Sequence, residues 1–276
     1  MENILKQNTG LNRNTVDKYY TKIEIVKSCI ELVKKYVIIS KNDLIIEPSA
    51  GNGSFISEIK TLSNNYKFYD IDPQNKEIIK SDFLEYNNDD KFNKIHIIGN
   101  PPFGRQASSA IKFIKKSGSF AKSISFILPK SFKKDSMKKH FPLKYHLIYE
   151  IDLPEKSFLV NNIEYDVPCI FQIWELKDFD RMIEDKIKPI NFKFVNKEDN
   201  PDISFRRVGV NAGNIMKKID DKSIQSHYFI KFTNDKSIND NCEKLKNIKF
   251  NFNNTVGPKS ISKQELIKEF NKFLIN

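Results

Sequence analysis

A succession of short apolar runs, separated by helix-forming text, constrains this chain more than any other feature. The runs are Leu44-Ile45-Ile46-Glu47, Tyr66 to Asp70, Glu77 to Lys80 leading into Asp82-Phe83-Leu84, Lys94 to Gly99, and Ser123 to Leu128. Runs this short and this apolar read as strands, and Ile95-His96-Ile97-Ile98 as a buried one. Between them the text turns helical. Thr21-x-x-Glu24 forms a capping-box signature ahead of Ile23, Val26, Cys29, Ile30, Val33 and Val37, which predicts a helix over about 22–38. Further helices are predicted through Leu62 and around Ile111, Phe113 and Ile114. Strands alternating with helices predict a parallel, doubly wound α/β sheet. The pattern then changes. Tyr145 to Leu153 and Pro168 to Glu175 are joined by a polar loop with no helix, so they predict an antiparallel pair at one edge.

Three segments follow: an arm at 1–20, a core at 21–178, and a charged extension at 179–276 that is a candidate substrate-recognition element. In the extension, Asn191 to Val195 and Ser204 to Val208 read as short strands, and Val210 to Asn214 as a turn. Ser262-x-x-Glu265 caps a last helix carrying Leu266, Ile267, Phe270 and Phe273. This makes the extension α+β.

Lys and Arg number 46 against 35 Asp and Glu, a formal charge of +11. That balance favours a polyanionic partner, nucleic acid before an anionic membrane surface, although heavy use of Lys, Asn and Ile alone also raises it. Cys29, Cys169 and Cys242 are scattered and lack ligand spacing, so no metal site and no disulfide framework is expected, and the compartment should be reducing. With neither an apolar leader nor a membrane-spanning run, the expectation is a soluble intracellular protein. Its oligomeric state is left open.

Two loops carry the chemistry. In Gly99-Asn100-Pro101-Pro102-Phe103-Gly104, consecutive prolines forbid helix and ladder pairing and hold an extended loop. It offers a carboxamide, a proline carbonyl and an aromatic face, the parts needed to hold a planar amino group. Glu47-Pro48-Ser49-Ala50-Gly51-Asn52-Gly53 lacks the third glycine of a dinucleotide fingerprint and the Lys-Ser/Thr of a P-loop. A carboxylate ahead of a Gly-x-Gly turn suits a cationic, phosphate-free ligand instead. Asp70, ending the second strand, can accept from ribose hydroxyls. Asp82 and Phe83 can meet an adenine amino group and a purine face.

Taken in order, Glu47 to Gly53, Asp70-Ile71-Asp72-Pro73, Ser81-Asp82-Phe83-Leu84 and Asn100-Pro101-Pro102-Phe103 resemble the motifs of class I S-adenosylmethionine-dependent methyltransferases of the amino-methylating group. They look most like the gamma-type adenine-N6 enzymes, over about residues 20–176. The resemblance implies a Rossmann-like, mostly parallel seven-stranded sheet and S-adenosylmethionine as cofactor, leaving S-adenosylhomocysteine as product. It assigns the cofactor to Thr21, Glu47, Pro48, Ala50, Gly51, Gly53, Asp70, Ile71, Asp82, Phe83 and Asn100. Catalysis falls to Asn100, Pro101, Pro102 and Phe103. Acceptance of the amino hydrogens by Asn100 and Pro101 would draw the nitrogen toward a nucleophilic geometry, with no His or Cys base required. Phe103 and Phe158 would stack a base swung out of its helix or taken from a single strand. Arg105 and Lys130, near the catalytic rim, are candidate contacts to a phosphate backbone, and Arg206 and Arg207 of the extension form a candidate substrate-facing element.

The implied reaction is methylation of adenine N6 in DNA or RNA. Alternatives are guanine N2, cytosine N4, a protein glutamine amide, or a non-catalytic nucleic-acid-binding partner of the same fold. Pro168-Cys169 is similar to the Pro-Cys of cytosine-C5 enzymes, but it lies off the fourth strand and is expected to be buried. His96, inside an apolar strand, is expected to be a packing residue.

Overall fold

Runs of buried, branched side chains pair edge to edge here to make a seven-stranded sheet. The computed structural model describes residues 19–89, 91–183, 185–252 and 259–275. The described chain divides into two compact units, the first ending at Met182 and the second beginning at Ile183. Of the N-terminal arm expected at 1–20, residues 1–18 lie outside the described residues.

In the first unit, β1 (Tyr20–Thr21) leads into α1 (Ile23–Tyr36), followed by β2 (Leu44–Glu47), α2 (Ile56–Leu62), β3 (Asn65–Asp70), β4 (Ile79–Lys80) and β5 (Ile95–Gly99). Next come α3 (Ser108–Ser117), β6 (Ser123–Pro129), the single-turn α4 (Asp135–Lys138), β7 (Tyr145–Asp152), the hairpin β8 (Phe158–Val160) and β9 (Ile163–Tyr165), and β10 (Cys169–Leu176). The sheet order is β4-β3-β2-β5-β6-β10-β7. Every pairing from β4 through β6 is parallel, and β10 runs antiparallel to both β6 and β7. The doubly wound sheet and its antiparallel edge are therefore as expected.

β2, β5 and β6 are buried along their whole length because helices cover both faces. One face packs on Val26, Ile30 and Val33 of α1 with Ile59 of α2, and the other on Ala110 and Ile114 of α3. Strand order reverses beside β2, with β3 on one side and β5 on the other, which opens a crevice at the carboxyl ends of these strands.

Three local expectations are corrected. α1 has no capping box: Lys22 is its N-cap and makes no side-chain cap bond. Thr21 instead pairs in β1 with Phe158 of β8. The expected strand at Asp82-Phe83-Leu84 is a single 3-10 turn, Phe83–Glu85, with Asp82 capping it by accepting the Leu84 N–H; only Ile79–Lys80 join the sheet. The polar loop between β7 and β10 holds the β8–β9 hairpin, turned at Asn161 and Asn162 with φ of 51° and 63°. Asn tolerates that left-handed pair, which matches the strand twist.

The second unit is a sheet of order β11-β14-β12-β13 formed by β11 (Phe192–Val195), β12 (Ile203–Arg206), β13 (Ile215–Met216) and β14 (His227–Phe232). Helices α5 (Ile238–Leu245) and α6 (Lys263–Leu274) pack with it around Phe205, Ile230, Leu266 and Phe270. The Ser262–Glu265 capping box forms as predicted: the Ser262 hydroxyl accepts the Glu265 N–H, and the Glu265 carboxylate accepts the Ser262 N–H.

Candidate active site

Each element that ends at the crevice brings one polar group to it. β2 delivers Glu47, whose side chain is 2% exposed. Burial, with the negative charge of Asp70 adding to it, pushes the Glu47 carboxyl well above the usual carboxylate range. Its Oε2 is buried and has no hydrogen-bond partner.

The following loop turns through Gly51 at φ 52° and Gly53 at φ 86°. A Cβ at Gly51 would lie 3.0 Å from Tyr20 Cε1, and one at Gly53 2.7 Å from Ile56 Cδ1. Both positions therefore require glycine, for backbone conformation and for close approach. Asp70, ending β3, holds this loop: its Oδ2 accepts the Gly51 N–H at 2.7 Å while Oδ1 accepts the Asp72 N–H at 2.8 Å.

β5 delivers Asn100. Its Nδ2 donates to the Tyr19 carbonyl at 3.2 Å and to Thr21 Oγ1 at 3.3 Å. A carbonyl only accepts, so the amide is oriented with nitrogen toward Tyr19. The Asn100 Oδ1 is thereby left buried and without a partner. Ser49 Oγ donates to the Asn100 carbonyl at 3.0 Å and ties the two loops together.

These groups line one cavity of about 420 Å³, within the range of small-molecule sites. Of the residues singled out from sequence, Thr21, Glu47, Pro48, Ala50, Gly51, Asp70, Ile71, Asp82, Phe83, Asn100, Pro101, Pro102 and Phe103 all line it. Gly53 does not; it shapes the turn behind it. Phe83 is mostly core, stacked on Tyr86 and Phe113. Phe158 is wholly buried and touches the lining indirectly, through an edge contact with Tyr19.

Neither Arg105 nor Lys130 is among the cavity-lining residues. Arg105 is exposed on the turn after Phe103. Lys130 pairs with Asp152 of β7 at 3.4 Å, beside Lys133 on the same carboxylate. In the second unit, Arg206 donates to the Val208 carbonyl and Ser226 Oγ, and Arg207 to the Gln225 carbonyl. Sequence reading missed Tyr19 and Tyr20, whose place beside Asn100 and Gly51 comes from pairing across more than a hundred residues, for which no local signal exists.

Cys169 is buried in β10, as expected. His96 is buried at the opposite ends of the strands, with Nδ1 2.7 Å from Ser123 Oγ and Nε2 3.3 Å from Asp43 Oδ2. Burial lowers its pKa against the opposing pull of Asp43. Among the described residues no His, Cys, Asp and Glu cluster could hold a metal, and no helix is long and apolar enough to cross a membrane.

Residues 39–168 match the family model of the EDM2 methyltransferase-like domain. None of the curated proteins matches the chain. Among solved structures, one from Pyrococcus horikoshii assigned to the RNA methyltransferases shares 13% identity at a TM-score of 0.47, over 62% of this chain and 93% of the other. The 23S rRNA methyltransferase ErmE shares 13% at 0.45, over 60% and 72%. A dimethyladenosine transferase from Plasmodium falciparum shares 17% at 0.41, over 58% and 63%. The matched stretch runs from before β2 to the Pro168 that precedes β10, and so includes Glu47, Asp70, Asp82, Asn100 and Phe158. S-adenosylmethionine is the cofactor implied for a methyltransferase domain on this sheet.

Proposed function

We propose that this chain transfers a methyl group from S-adenosylmethionine to the exocyclic amino group of adenine, at N6, in nucleic acid. One observation carries the reading: the buried Asn100 Oδ1, oriented by bonds on its own nitrogen and lacking a partner of its own. Leaving a buried acceptor unpaired costs about 1–3 kcal/mol. A donor that fills it recovers that cost, and an amino hydrogen is such a donor.

The residues present also fit the cofactor. Glu47 offers a partnerless buried carboxylate to a cationic group, Asp70 stands where ribose hydroxyls can donate, and Asp82 and Phe83 flank room for a purine. When bound, the cofactor supplies an electrophilic methyl group on a positively charged sulfur. The protein's own part is positioning and electrostatics. Asn100 Oδ1 and the Pro101 carbonyl accept the two amino hydrogens, and this withdraws the nitrogen lone pair from the ring. Pro102 fixes the loop that presents them, and Phe103 offers a face to the base. No His or Cys lines the described cavity, which suits an amino group whose proton departs to water after methylation.

The test is transfer of labelled methyl to adenine in duplex and single-stranded DNA and RNA, followed by analysis of the modified nucleoside. Label at N6 supports the reading. Label confined to a protein acceptor, or to guanine or cytosine, would sink it.

A further inference from the structure

Resting on the reading above, we infer that the substrate base enters a slot walled by Phe103, Phe158 and Tyr165, and that Tyr19 fills this slot until the base displaces it. The three-stranded sheet β1-β8-β9 builds two of the walls, and the loop after β5 brings Phe103 as the third. Thr21 pairs with Phe158, and Phe158 with Tyr165, so these three lie in one row on one face. Tyr19 stands two residues before Thr21 and returns to the same face.

Its ring stacks on two roughly parallel rings, 6.3 Å and 25° from Phe103 and 5.5 Å and 26° from Tyr165. Phe158 closes the side edge-on, at 6.3 Å and 63°. A planar six-membered ring thus already occupies the place where a flipped base would sit. Phe103 is only 9% exposed and Phe158 not at all, and Tyr19 is one of the rings that cover each of them.

The plug is also wired to the catalytic loop. The Tyr19 carbonyl accepts from Asn100 Nδ2, and Asn100 Oδ1 is sealed from solvent. Withdrawal of the Tyr19 ring would therefore clear the slot beside Asn100 Oδ1, while the Tyr19 carbonyl and Thr21 Oγ1 keep the amide oriented. Tyr165 is the more exposed wall, at 39%, and gives the base its route in. Such an arrangement lowers apparent affinity by the fraction of molecules in which the slot is closed.

The test uses the full chain with S-adenosylhomocysteine and a short single-stranded oligonucleotide carrying one 2-aminopurine, whose fluorescence falls on stacking. Tyr165→Ala should weaken binding roughly tenfold, the scale of one lost base–aromatic stack. Tyr19→Ala should tighten it severalfold, while Tyr19→Phe, which keeps the ring, leaves it unchanged. Weaker binding by Tyr19→Ala would make Tyr19 a fixed wall and overturn the proposal. So would unchanged binding in both alanine variants. Calorimetric binding of S-adenosylhomocysteine checks that each variant is folded.

A Tyr19→Trp variant separates the slot from the reaction. Free adenosine should shift its indole emission to the red as the ring is expelled; no shift at saturation overturns the slot. Absence of nucleic-acid methylation by the wild type, together with this shift in Tyr19→Trp, would sink the adenine-N6 assignment and leave the slot standing.

Discussion

Replacing Glu47 by Gln is the most informative single change, because it moves stability and cofactor affinity in opposite directions. Glu47 is buried, one carboxylate oxygen has no partner, and burial plus the Asp70 charge raise its pKa. The folded chain therefore holds this proton more tightly than the unfolded chain, whose glutamates titrate near 4.3. The stability this contributes is fully present below the unfolded value and is lost as pH rises through the raised folded value. Gln keeps the shape without titrating, so the ligand-free variant should melt higher than wild type at neutral and alkaline pH. The gap should close in acid.

Cofactor affinity should do the reverse. A hydrogen bond to a charged group is worth about 1.5–3 kcal/mol, which corresponds to a roughly 10- to 150-fold weaker S-adenosylmethionine affinity for Glu47→Gln where wild-type Glu47 is ionised. Wild-type affinity should rise with pH through the raised pKa, with proton release on binding, while the variant stays flat. Calorimetric titration in buffers of different ionisation heat reads both. Equal affinities for the two proteins at every pH, or a difference that grows in acid, would refute the assignment.

Other expectations follow from single contacts. Gly51→Ala places a side chain at φ 52° and a Cβ 3.0 Å from Tyr20 Cε1, so it should cost about 1–2 kcal/mol in denaturant unfolding and weaken cofactor binding measured by calorimetry. Ser262→Ala removes one arm of the α6 capping box and should cost about 0.5–2 kcal/mol, read as faster amide exchange in α6. His96 is buried with a pKa that burial lowers, so its stability contribution is present above the unfolded value of about 6.5. That contribution should be lost as pH falls through the lower folded value, and His96→Gln should flatten the pH dependence of melting in that window.

The sheet was legible because β2, β5 and β6 are buried on both faces and so are written as unbroken apolar runs. The cavity was legible because its polar groups stand at the ends of those runs. What failed was decided by distant partners. The Thr21-x-x-Glu24 and Ser262-x-x-Glu265 signatures are alike, yet only the second forms a box, since β8 claims the Thr21 backbone and Asn100 its hydroxyl. Asp82 reads as a strand end, but its carboxylate bonds the chain two residues on and turns it. β14 went unread although Tyr228, Ile230 and Phe232 alternate, because charged text on either side masked the run. Tyr19 and Tyr165 could not be found from spacing, since their meeting depends on two strands that pair from far apart in the chain.

The central claim is that the Asn100 amide oxygen accepts a substrate amino hydrogen. Methyl transfer to adenine N6 by Asn100→Ala should fall at least about 100-fold, the scale of losing one preorganised polar group, while S-adenosylhomocysteine affinity stays close to wild type. N6 transfer at the wild-type rate by this variant, with its fold intact, would contradict it.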